Sequence, residues 1–175
     1  MEEAVVKRIM PHSNEAEQAV IGSMIMDVDA IPVAMEKLTD GDFYNKQYGS
    51  LFKAMVQLYN EGRECDLVTI KTKLEEMEVP SEVISIEFIR NILEMVPTSA
   101  NIKQYAGIVY DKSVMRKLIR ANENIANTCY AGNKPLPAIL EETEKDIFSL
   151  LQSGDTGEFK SVRQIVLNVF DKIEQ

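Results

Sequence analysis

Three side chains near the N-terminus, His12, Glu15 and Glu17, have the types and the closeness in sequence that acid–base catalysis or metal binding would need. They lie in P-H-S-N-E-A-E-Q-A-V-I-G-S-M, residues 11–24, just before the chain turns apolar. An imidazole among carboxylates can shuttle a proton or ligate a divalent cation. Helical geometry argues against both. After Asn14 the apolar positions Ala16, Val20, Ile21, Met24 and Ile25 recur at three- and four-residue steps, the pattern of one buried helical stripe. Residues two apart on a helix point roughly 200° around its axis, so Glu15 and Glu17 cannot converge on one ligand. Asn14 with Glu17 three later reads as a capping-box-like start, with both acids at the positive end of the helix dipole. His12, the single histidine, reads as a solvated turn residue.

No other constellation supplies chemistry. A G-x-x-x-x-G-K-[ST] loop is absent, and none of the eight glycines is followed by lysine, so no P-loop of that kind lies in this chain. G-x-S-x-G, H-E-x-x-H and EF-hand patterns are absent too, and G-D-F at Gly41 is a turn without neighbouring ligands. Catalytic, cofactor-binding and metal-ligating residues are therefore assigned to none, and this chain is expected to be no enzyme. Cys65 and Cys129 are far apart and form neither a C-x-x-C pair nor a disulfide framework, which fits a reducing, cytoplasmic setting. Nineteen Lys and Arg against twenty-eight Asp and Glu give a net charge of −9, the wrong sign for neutralising phosphates, so direct nucleic-acid binding is not expected. No apolar run approaches the ~18 residues of a membrane span, and the N-terminus lacks the pattern of a signal peptide.

The elements that carry these residues read as all-α. With 45% hydrophobic residues over 175 positions, the chain can bury a real core. A short second helix is predicted over Ala30 to Leu38, with Asp29 as cap and Pro32 in its first turn. T-D-G-D then turns the chain. From about Asn45 to Glu61, Leu51, Phe52, Met55, Val56, Leu58 and Tyr59 line one face, and Gly62 stands where a glycine cap belongs. Asp66 and Thr69 open a helix that ends near Met77, and Ser85 opens another that stops at Met95. Residues 1–98 thus form a bundle of five short helices.

From about Ser99 to Ala131 no proline interrupts, and Gly107 costs the helix only about 1 kcal/mol. Thirty residues at 1.5 Å each make a helix of roughly 45 Å, expected to protrude from so small a bundle. Gly132-Asn133 ends it, and Pro137 to Gln152 returns as the second arm of an antiparallel hairpin, residues 99–152. The predicted seam is Leu136, Leu140, Thr143, Ile147 and Leu150 against Leu118, Ile125 and Cys129. Lys112, Arg116 and Arg120 form a basic row that can pair with Glu141, Glu142, Glu144 and Asp146. Ile119, Phe148 and Leu151 widen the apolar surface beyond what a two-helix seam covers, as a docking surface would. Residues 153–161, S-G-D-T-G-E-F-K-S, read as a flexible linker, and residues 162–175 as the start of a helix with Ile165, Val166, Val169, Phe170 and Ile173 on one face. That stripe has no cap before Gln175, so the helix is expected to be a contact arm or the lead into a further domain.

The same stretch from Pro11 to Met24 resembles the opening of the DnaB-type replicative DNA helicases, with proline, then E-A-E, then an apolar pair and glycine. Three further segments follow at the family's spacing: D-F-Y-N-K-Q-Y-G-S-L-F-K-A-M, C-D-L-V-T-I-K-T-K-L, and V-P-T-S-A-N-I-K-Q-Y-A-G-I-V-Y-D-K-S-V-M-R-K-L-I. Tyr48 stands where many members have histidine, and Glu78 to Ile86 lacks the G-G that many carry. The resemblance implies an N-terminal helical domain with a hairpin that forms the collar of a hexameric ring, pairing with other copies of itself. It also implies recruitment of primase, with a helicase loader as a further partner. The ATP- and Mg-dependent motor would lie beyond Gln175, and the helix from Val162 would dock on a neighbouring motor domain. On this reading Phe88, Ile119, Ile125, Phe148 and Leu151 are the residues for self-association or primase contact, ordinary core packing being the alternative for each. A free-standing helical adaptor, or a phage or plasmid helicase domain that binds a loader, are the other readings.

Overall fold

The computed structural model describes residues 8–96 and 98–152. Among the described residues there are seven α-helices, one 3₁₀ turn and no strand, so the all-α reading holds. The order is α1 (Asn14–Met26), α2 (Ala30–Met35), the 3₁₀ turn (Asp40–Asp42), α3 (Lys46–Asn60), α4 (Leu67–Glu76), α5 (Ile86–Met95), α6 (Ile102–Ala131) and α7 (Leu136–Gln152). They fall into two compact units that divide between Arg116 and Lys117, inside α6. None of the described helices is long and apolar enough to cross a membrane.

Local chemistry accounts for most helix ends. Asn45, Asp66 and Ser85 cap α3, α4 and α5, their side-chain oxygens accepting from Gln47, from Val68 and Thr69, and from Phe88 respectively. Thr69 reciprocates by accepting the Asp66 N–H at 2.9 Å. The Thr69 amide, foremost, holds the Asp66 carboxyl below its usual pKa. Gly62, at φ +68, ends α3 with its own N–H on the Tyr59 carbonyl and the Arg63 N–H on that of Leu58. Lys73 then ties α4 back to this end, 2.5 Å from Glu61 and 3.2 Å from Glu76.

One predicted cap is displaced by a residue, and another stands at the cap position without making the bond. The cap of α1 is Ser13 rather than Asn14: Ser13 is extended and its Oγ accepts from the Ala16 N–H at 3.2 Å. Glu17 closes no capping box because its carboxylate is turned into the protein. Asp29 makes no cap bond; it is already helical at φ −71, ψ −16, and its N–H donates to Asp27. The second helix also stops at Met35, short of Leu38.

The core of the first unit joins Val20, Ile21 and Met24 of α1 to Leu51, Met55 and Leu58 of α3, with Ile31, Ile70, Ile89 and Ile92 around them. Each such side chain contributes about 1.5–3 kcal/mol by leaving water. The first half of α6 adds Ile102, Ala106 and Val109 to the same core. Val56 is half-buried and Tyr59 is 38% exposed, at the margin of the predicted α3 face. Gly22 lets α1 and α5 approach: a Cβ there would lie 2.5 Å from Val96 Cγ2 and 3.4 Å from Ile92 Cγ2.

In the second unit the two arms meet along Ile125 and Thr128 of α6 and Ile139, Thr143 and Asp146 of α7. The predicted seam is therefore shifted by one residue at its start. Leu136 and Leu140 are 66% and 59% exposed, and Leu118 and Cys129 also face outward. Ile139 and Leu140 are adjacent and equally apolar, so only one of them can face the other arm, and periodicity alone does not choose. The basic row is corrected as well. Arg116 is buried in the first unit, and Glu142 pairs with Lys134 of the connecting turn at 2.6 Å.

The end of α4 repeats the glycine-type cap with a side chain in the way. Glu78 sits at φ +59, the Val79 N–H reaching the Leu74 carbonyl and the Glu78 N–H that of Glu75. Glu78→Gly is expected to raise stability by about 1 kcal/mol, because glycine adopts this conformation without the Cβ clash. Gly22→Ala is expected to lower it by about 1–3 kcal/mol through overpacking against Val96. Urea titrations followed by circular dichroism would show both, the midpoints moving in opposite directions.

Candidate functional site

The residues that looked catalytic build a structural knot in the first unit. Glu17 is 1% exposed, and its two carboxylate oxygens accept from the backbone N–H of Tyr44 at 2.8 Å and of Asn45 at 3.0 Å. These amides stand at the start of α3, where donors have no partner within the helix and the dipole favours a negative charge. Burial, and after it the charge of Glu17, push the Tyr48 phenol above its usual pKa. Asp42, also buried, accepts from the Thr39 N–H at 2.8 Å and the Thr39 hydroxyl at 3.1 Å. Its other oxygen accepts from the Ser113 hydroxyl at 2.6 Å.

Arg116 completes the knot at 4% exposure. One guanidinium nitrogen donates to the Pro11 carbonyl at 2.8 Å and the other to the Asp42 carbonyl at 2.6 Å. The same guanidinium lies 5.7 Å from the centre of the Tyr44 ring, and His12 is stacked on that ring at 4.1 Å with planes 11° apart. His12 is thus half-buried and packed, not the solvated turn residue predicted, and its Nδ1 lies 2.7 Å from the Met10 carbonyl oxygen. Glu15 stays exposed on the other side of α1. These carboxylates are already taken up by protein donors, which suits them to holding shape rather than to moving protons. Among the described residues no group of three or more His, Cys, Asp or Glu is placed to hold a metal ion.

The apolar residues chosen from the sequence separate into two groups. Phe88 is half-buried in the first unit, its ring 5.9 Å from that of Tyr48 and packed against the core. Ile125 lines the seam of the second unit, and Ile119 is half-buried. Phe148 and Leu151, by contrast, are 57% and 44% exposed. Leu136 and Leu140, assigned to the seam by periodicity, join them on an arc of about 120° along α7 at 3.6 residues per turn. The signal for them was their spacing of four from each other and of eight from Leu140 to Phe148. Ile165, Val166, Val169, Phe170 and Ile173 lie outside the described residues.

Residues 9–111 match the family described as DnaB-like helicase N terminal domain. The replicative DNA helicase DnaB of Geobacillus stearothermophilus is 36% identical over 174 residues, 99% of this chain and 38% of that protein. The replicative DNA helicase DnaC of Bacillus subtilis is 36% identical over 168 residues, 96% of this chain and 37% of that protein. The chain therefore spans less than two-fifths of the length of these relatives. Among solved structures, the N-terminal domain of DnaB helicase from Mycobacterium tuberculosis superposes with a TM-score of 0.76 at 29% identity, covering 81% of this chain and 99% of that one. The N-terminal domain of DnaB helicase from Helicobacter pylori, described with its interactions with primase, shares the fold at a TM-score of 0.57 and 21% identity, over 66% of this chain and 90% of that one.

The knot can be tested through its carboxylate. Glu17→Gln keeps the shape but leaves one acceptor oxygen for two amides and points an N–H₂ at the second. Hydrogen bonds to a charged group are worth about 1.5–3 kcal/mol, so a loss of about 2 kcal/mol is expected in a urea titration. A midpoint equal to that of the wild type would show that the carboxylate holds nothing in place.

Proposed function

The chain belongs to the family of DnaB-like helicase N-terminal domains, and on that premise we propose that it is the non-catalytic collar module of a bacterial replicative DNA helicase. It pairs with other copies of itself within the ring and recruits primase, coupling unwinding to primer synthesis. The ATP- and Mg-dependent motor belongs to the part of the relatives that this chain does not span.

The exposed stripe on α7 carries the reading. Leu136, Leu140, Phe148 and Leu151 remain in water although the two arms already meet along Ile125, Ile139 and Thr143. None of the described residues of α7 is fully buried. Each large apolar side chain covered by a partner contributes about 1.5–3 kcal/mol, so four on one arc supply enough for specific association. The acidic residues Glu141 and Glu144 beside the stripe suit a partner with basic groups and repel phosphates. The overall charge of −9 points the same way: DNA is left to another part of the assembly. The primase described with the Helicobacter pylori domain supports the choice of partner.

Phe148→Asp and Leu140→Asp are expected to leave far-UV helicity unchanged, since both side chains are solvent-exposed. Each should weaken self-association in sedimentation or capture of primase by at least about tenfold, the equivalent of 1.4 kcal/mol. Both interactions surviving at full strength would refute the reading, as would ATP hydrolysis by the purified chain.

A further inference from the structure

We propose that Glu144 sets the specificity of the exposed stripe on α7: it excludes a second copy of the same stripe and selects an amphipathic helix that carries a lysine or arginine between its apolar residues. The inference rests on the reading of that stripe as a docking surface and adds which occupant it takes. At 3.6 residues per turn, Leu140, Glu144 and Phe148 follow one another at steps of about 40° around the axis and about 6 Å along it. Glu144 therefore falls inside the arc of Leu136, Leu140, Phe148 and Leu151, with Leu140 one turn before it and Phe148 one turn after. All five side chains are exposed.

A carboxylate in that place is harmless in water and decisive under a cover. A partner laid over the stripe takes Glu144 out of water, and an ionised group buried without a counter-charge costs more than the neighbouring apolar contacts contribute. The chain itself supplies no counter-charge. The residues that share its face at three- and four-residue steps are Leu140, Glu141, Ile147 and Phe148, none of them a cation. Lys134 is taken by Glu142 at 2.6 Å, and Lys145, next in sequence, points about 100° away around the axis. Among the described residues no group is hydrogen-bonded to or ion-paired with the Glu144 carboxylate. The cation must come from the partner, and a second copy of the stripe does not bring one. The antiparallel pairing that sets Leu140 opposite Phe148 also sets Glu144 opposite its own counterpart. Sliding the pair by a turn puts Glu144 on Leu140 or Phe148 instead, so in no register does the stripe offer it a positive group. Nucleic acid is excluded by the same charge. What fits is a helix whose apolar residues interlock with the four-residue ridge of the stripe. Between them a lysine or arginine lays its methylene stem along Leu140 or Phe148 and brings its charged head to the carboxylate.

Two fluorescently labelled, alanine-rich helical peptides of about twenty residues serve as probes. Both carry leucines at four-residue spacing on one face, and they differ only in the central residue of that face, lysine or glutamate. Fluorescence anisotropy with the whole chain is expected to give at least about tenfold tighter binding of the lysine peptide. Glu144→Lys should reverse the preference, and Phe148→Asp should abolish binding of the lysine peptide. In sedimentation, Glu144→Leu is expected to create an association that the unchanged chain lacks and that adding Phe148→Asp removes. Equal binding of the two peptides, lost with Phe148→Asp, would overturn the role of Glu144 and leave the docking surface standing. Binding that Phe148→Asp does not weaken, or no binding of either peptide, would remove the surface and the inference with it. Self-association of the unchanged chain that Phe148→Asp weakens would show the stripe covered by its own copy, which overturns the inference as well.

Discussion

A carboxylate with 1% of its surface in contact with solvent has to find its donors inside the protein, and Glu17 finds them 27 and 28 residues away. An ionised group buried without partners costs far more than any one packing contact returns. The first unit therefore folds in arrangements that bring the start of α3 to the first turn of α1. Once those two helices are registered, Val20, Ile21 and Met24 meet Leu51, Met55 and Leu58 without further choice. The 3₁₀ turn is held close by, which places Asp42 where Ser113 and Arg116 reach it. One buried charge thus sets the terms on which α1, the turn, α3 and the root of α6 come together.

The second unit is built on the opposite principle. It has no buried polar centre among its described residues, and its two arms share a narrow line of Ile125, Thr128, Ile139 and Thr143. Isolated helices are marginal in water, and a pair with so thin a seam gains little from packing. Continuity supplies part of what is missing: α6 enters the second unit as an existing helix, its first half already packed in the first unit, so nucleation is complete before Lys117. A partner laid along Leu136, Leu140, Phe148 and Leu151 would supply more. The first unit is thus held by its own buried polar bonds, and the second by a thin seam and the continuity of α6.

Much of this was legible in the sequence, and the failures share a cause. The caps at Asn45, Asp66 and Ser85 and the glycine at Gly62 could be read because their bonds close within a few residues. All seven helices among the described residues followed from periodicity and these signals. Ser13 and Asn14 are adjacent side chains that can both cap, and what decides between them is the distant use of Glu17. Ile139 and Leu140 are likewise adjacent, and the facing arm decides. Arg116 reads as a surface cation in a row with Lys112 and Arg120, because nothing local reveals that its acceptors are Pro11 and Asp42, 105 and 74 residues away. The apolar candidates were chosen by type and spacing, which separates neither Phe88 from Phe148 nor a packed ring from a free one.

Three of the four segments that make the sequence recognisable meet in the polar knot. Pro11, His12 and Glu17 come from P-H-S-N-E-A-E; Asp42, Tyr44 and Asn45 from G-D-F-Y-N; Ser113 and Arg116 from D-K-S-V-M-R. Packed apolar positions exchange Ile, Leu, Val and Met at small cost, so a core alone leaves a diffuse trace in sequence. A directional bond between a named side chain and a particular amide or carbonyl admits few substitutes, and a network of them admits fewer, since each member is held by the others. That is how a domain comes to carry short, sharp sequence signatures. They record the geometry of the point where the first half of α6 joins the rest of the first unit.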